Sequence, residues 1–180
     1  LPNIKKENYT AFFGTINLNV TIDSLTSNQV HWYKHYTAIS GNFTALPLQS
    51  QFALNQKFSA EGLQECFLRP STPDEINNSP QPVIQSLAAQ YQYDPNQWKL
   101  LPLKFQDSLN VKFVENGISQ FALELSSVDE INVLPESIIR KLATQYEQLP
   151  EKWLELSIHE QDALNNQFTK NKIKGLNTHP

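Results

Sequence analysis

From Pro135 to about Gln148, apolar side chains fall at Ile138, Ile139, Leu142, Ala143 and Tyr146. That spacing draws one stripe along an α-helix. Pro135 suits a first helical turn, where its missing N–H is no loss. Pro150 breaks or restarts the helix. Trp153 and Leu156 make a short apolar turn, and Ser157-Ile-His-Glu160 spells a capping box. A second helix follows, with Gln161, Leu164 and Phe168 on one side.

The same pattern appears 55 residues earlier, at Val83, Ile84, Leu87, Ala88 and Tyr91. Pro80 to Phe113 and Pro135 to Phe168 share one string of proline, leucine, Gln-Tyr, tryptophan, Gln-Asp and phenylalanine positions, without insertion. A third, degenerate copy lies upstream: Tyr36 under Tyr91, Leu46-Pro47-Leu48 under Leu101-Pro102-Leu103, Phe43 at the tryptophan position. Fixed-period self-similarity is the mark of a repeat architecture. The sequence therefore predicts a single repeat domain over residues 1–180, with copies over about 4–58, 59–113 and 114–168. The polar, basic tail over 169–180 is expected to fray.

Gly62 and Gly117 stand four residues past the phenylalanines, each before an apolar residue. This predicts a left-handed helix cap. For the middle copy, Val111 to Gly117 also reads as a strand entering an Asn-Gly hairpin, but the other copies make poor strands there, and repeat consistency favours helix. Beyond the glycines, residues 64–69 and 120–125 read as short strands, and residues 11–22 alternate most clearly of all. The unit is then strand, polar loop, helix, short helix, helix. The predicted fold class is α/β or α+β, a small sheet covered by helices in strand-helix-helix repeats, with parallel strands and right-handed connections. A mostly helical repeat array is the alternative.

Composition narrows the functional classes. A net charge of −4 gives no broad basic surface for nucleic acid or anionic lipid. No apolar run reaches the ~20 residues of a membrane span, so neither nucleic acid nor membrane is expected as a partner. The single cysteine, Cys66, excludes an intrachain disulfide and reads as a small buried hydrophobe. The absence of methionine suggests a processed form or a fragment, with no retained signal peptide and the compartment unknown. Asn-x-Ser/Thr sites at Asn8, Asn19, Asn42 and Asn77 are what an Asn-rich chain produces by chance.

Candidate chemistry is sparse. His31 and His35 sit four apart, as two zinc ligands on a helix would. Trp32 occupies the place where a metalloprotease motif needs glutamate. A metal role for His31 and His35 is weighed against ordinary surface histidines. Trp32, which has no counterpart in the other copies, and Tyr33 are the candidates for an exposed aromatic contact. Asp74-Glu75 and Asp129-Glu130 precede helices, where acidic residues serve capping and the helix dipole. Gln51, Gln106, Gln161 and Asn55, Asn110, Asn165 recur at fixed places, which points to a shared hydrogen-bonding need. The tryptophans and tyrosines of the repeat read as core. No nucleophile elbow, phosphate loop or dinucleotide fingerprint occurs, so no cofactor is expected. The sequence favours a non-enzymatic, repeat-built module for protein–protein interaction. The alternative is an enzyme or metal-binding protein centred on His31 and His35.

Overall fold

The computed structural model describes residues 20–37 and 41–178. They form two compact units, one up to Gln90 and one from Tyr91. All regular structure among them is helical. The first unit holds α1 (Val20–Asp23), α2 (Ser27–Thr37), α3 (Leu48–Ala60), α4 (Pro73–Asn77) and most of α5 (Gln81–Tyr93). The second holds α6 (Pro95–Lys99), α7 (Leu103–Glu115), α8 (Val128–Ile131), α9 (Glu136–Gln148), α10 (Pro150–Glu155) and α11 (Ile158–Lys170).

The helices recur in the register of the sequence. α3, α7 and α11 are each 13 residues long and start 55 apart, as do α5 and α9. The apolar stripe of α9 buries Ile138, Ile139, Leu142 and Tyr146. These join Leu103, Ile131, Trp153, Leu164 and Phe168 in one core of the second unit. In the first unit Tyr33, Leu48, Leu54, Phe58, Ile76 and Ile84 are fully buried.

Both glycine caps are present. Gly62 and Gly117 have φ of +72° and +71°. The next residue's N–H reaches back to the phenylalanine carbonyl, Leu63 to Phe58 and Ile118 to Phe113, each at 2.8 Å. This is the 6→1 bond of a Schellman motif. Val111 to Glu115 lies inside α7, so the hairpin reading of that stretch does not hold.

The expected sheet is absent among the described residues, and this is the main correction. Residues 64–69 and 120–125 are extended, but neither stretch belongs to a β-ladder. Residues 11–19 lie outside the described residues, and Val20 to Ile22 belongs to α1 rather than to a strand. The helical repeat array, the alternative reading, is what fits. The extended stretches are straps whose backbones pair with side-chain amides instead of neighbouring strands. Asn110 accepts from Phe121 N–H and donates to Phe121 O, both at 2.8 Å. Gln106 treats Glu124 the same way at 2.9 and 3.0 Å, and Gln145 treats Leu123 at 2.7 and 2.9 Å. In the first unit Asn55 holds Cys66, Gln51 holds Arg69 and Gln90 holds Leu68 by the same two bonds. A primary amide offers one donor and one acceptor side by side, the same pair that a strand neighbour presents. Alternating apolar residues look alike in a strand and in such a strap, which is why the periodicity alone pointed to a sheet.

The tail is also held rather than frayed. Asn165 makes its two bonds to Leu176 at 2.7 and 2.8 Å. Trp153 Nε1 donates to Asn177 O at 2.7 Å, as Trp98 Nε1 donates to Ala122 O at 2.9 Å. Residues 171–177 thus form a third strap in the same register.

Candidate functional site

The surface feature best suited to contact is a groove of about 630 Å³ beside the second strap. α7 supplies Asp107 and Asn110, the strap supplies Gln120 to Leu123, and α9 supplies Arg140, Lys141, Thr144, Gln145 and Gln148. Asn110 and Gln145 are fully engaged with the strap, so they shape the floor. Asp107 and Lys141 form an ion pair at 2.6 Å across the groove, from α7 to α9. Arg140 is bound to Glu136 at 2.8 Å and to the Asn171 carbonyl at 3.1 Å. Gln120, Thr144 and Gln148 are exposed along its length.

The strap's own backbone is largely spent. Phe121, Leu123 and Glu124 have both N–H and C=O paired, and the Ala122 carbonyl takes the tryptophan. A ligand cannot dock by adding a strand here, because strand addition needs a free edge. Recognition in this groove works through side chains.

The candidates named from sequence do not converge on this groove. His31 and His35 lie one turn apart on α2. His31 Nε2 is 3.7 Å from Glu61 Oε2, which also accepts from Ser27 Oγ at 2.7 Å. These three join α2 to the C-terminal end of α3. His35 is exposed and packs edge-on against Trp32 at 5.8 Å. No group of three or more metal-ligating side chains occurs among the described residues. His35 stands 55 residues before Gln90, so in the first copy it occupies the place of a strap-holding amide.

Trp32 and Tyr33 are not exposed contacts. Trp32 is 9% accessible and Tyr33 1%. Burial, then the neighbouring Tyr36, pushes the Tyr33 hydroxyl up to about 12. Tyr146 is shifted upward in the same direction, by burial first and then by Glu124, Glu160 and Glu155. Cys66 is half-buried, with Lys34 Nζ donating to its sulfur at 3.2 Å while lying over the Phe58 ring.

Each Asp-Glu pair has a structural task in its glutamate. Glu75 Oε2 accepts from Leu48 N–H at 3.0 Å, and Glu130 accepts from Leu103 N–H. Each glutamate therefore caps a helix of the preceding copy rather than its own. Sequence reasoning missed Gln90 and Gln145 as strap holders, although both sit at one fixed place in the repeated Gln-Tyr string. It also missed the groove's charges. Asp107 recurs as Asp162 and so read as part of the repeat, while Arg140 and Lys141 face Gln85 and Ser86 in the alignment, so no recurrence flagged them.

Comparison with protein-family models, with curated proteins and with solved structures finds no match. No helix among the described residues is long and apolar enough to cross a membrane.

Proposed function

We propose that the chain is a non-enzymatic binding module that recognises a protein through the groove between α7 and α9. One observation carries this reading. The recurring amides and glutamates are consumed in holding straps and capping helices, while the α9 wall of the groove, Arg140, Lys141, Thr144 and Gln148, differs from its counterparts Gln85, Ser86, Ala89 and Tyr93. Stacked repeats present extended surfaces for recognition, and the positions free to vary there are the ones that set specificity. The lining mixes an ion pair, amides and a few apolar atoms, which suits a protein surface or peptide.

The test uses two groove variants. Thr144→Arg fills the groove from an exposed position, and Lys141→Glu opposes Asp107 with a like charge. Proteins captured by the wild-type chain from cell extract are identified, and the binding of each is remeasured with purified components. The expected result is loss of binding in both variants with unchanged melting temperature. Equal binding by both variants would place recognition elsewhere. Turnover of a small molecule by the purified chain would refute the non-enzymatic reading.

A further inference from the structure

The three equivalent helices α3, α7 and α11 begin in two different ways. Pro47 and Pro102 occupy the N-cap positions of α3 and α7, and neither offers a side-chain cap. The first N–H of each helix is taken instead by a carboxylate from the next copy: Leu48 by Glu75 and Leu103 by Glu130. Both glutamates are fixed from behind. Glu75 Oε1 accepts from Ser71 N–H at 2.8 Å, and Glu130 Oε2 accepts from Ser126 Oγ at 2.9 Å. α11 begins with Ser157, whose hydroxyl accepts from Glu160 N–H at 3.1 Å while Glu160 returns to Ser157 N–H at 2.9 Å. The backbone is alike in all three, with φ/ψ of −54°/148° at Pro47, −57°/148° at Pro102 and −67°/160° at Ser157. The source of the cap differs, and so does the donor it takes: the first N–H in α3 and α7, the third in α11.

A helix start without a cap leaves backbone donors unsatisfied and frays. We infer that the first turns of α3 and α7 are conditional: each is complete only while the glutamate on the short helix of the following copy, α4 or α8, stays in place. The first turn of α11 needs no glutamate from another copy, because its capping box is its own. This is a conformational device built into the repeat. Loss of the Glu130 contact releases the start of α7, the helix that supplies Asp107 to the groove. The accessibilities agree: Leu48 and Leu103 are fully buried, whereas Ile158 is 48% exposed.

Amide hydrogen exchange of Glu130→Ala tests this. Exchange at Leu103 and Lys104 is expected to quicken by roughly two- to thirty-fold, the range a lost N-cap covers, with Ile158 to Glu160 unchanged. Adding Pro102→Ser is expected to slow exchange again at Lys104 and Phe105, because an N-cap serine accepts from the second or third helical N–H, while Leu103 stays unprotected. Equal quickening at the starts of α7 and α11 would overturn the inference. So would no change at α7, or no rescue by the serine. If Glu130→Ala does not fold, Glu130→Gln keeps a neutral acceptor and gives the same comparison, with a smaller rise expected at α7 alone.

Discussion

Asn110 bonds both backbone groups of Phe121, each at 2.8 Å, across a gap of eleven residues. The same eleven-residue pairing joins Asn55 to Cys66 and Asn165 to Leu176. Asn110 is 5% accessible, so water cannot replace it. Asn110→Leu keeps the side-chain size and strands two polar groups. It is expected to cost about 2–4 kcal/mol, one lost bond and one desolvated partner at each end. Asn110→Asp keeps the acceptor and loses the donor, so its cost should be smaller. Urea unfolding midpoints measure both.

Lys172 is the one non-glycine with positive φ among the described residues, at 59°. It stands where Gly62 and Gly117 stand in the other copies. An L-residue there costs about 1 kcal/mol or more relative to glycine. Lys172→Gly is therefore expected to raise the melting temperature by a few degrees. Gly117→Ala should lower it, and purely through backbone conformation, since a Cβ at Gly117 meets nothing within 4 Å.

Alkaline pH should unfold the protein ahead of simple chemical damage. Tyr33 and Tyr146 are raised in the folded state, chiefly by burial. Below the ordinary tyrosine value of about 10 both states keep the proton, and stability is full. Above it the unfolded chain ionises first, so stability falls as pH rises towards the folded value, about 12 for Tyr33. Tyr146→Phe removes one of these groups and should flatten the decline. Denaturant titrations from neutral pH upward through the tyrosine range read the slope.

The Asp107–Lys141 pair is expected to matter little for stability. Its side chains are 19% and 48% exposed. Such pairs contribute about 0.2–1 kcal/mol. Lys141→Ala should shift the unfolding midpoint by no more than that, and most of its small effect should vanish in concentrated salt. A larger change would mean that the pair holds α7 against α9.

The sequence by itself determined the period, the helices and their ends. Ile138, Ile139, Leu142 and Tyr146 lie on one stripe because about 3.6 residues make a turn, and that geometry is local. Pro150, Ser157 with Glu160, Gly62 and Gly117 act within a few residues of themselves, so their caps and breaks were legible. The repeated tryptophans and amides announced recurring structure by their spacing alone.

Only the tertiary structure decided what the extended segments pair with. The stretch over 120–125 alternates like a strand, yet its partners are Asn110, Gln106 and Gln145, on helices before and after it. Backbone groups must be satisfied, but sequence does not say by whom. The same holds for Glu130, which sits in one short helix and caps another, and for Trp32 and Tyr33, whose burial their place in the sequence did not show. Local geometry is written residue by residue, whereas the choice of a hydrogen-bond partner and the covering of a side chain are settled only when distant segments meet.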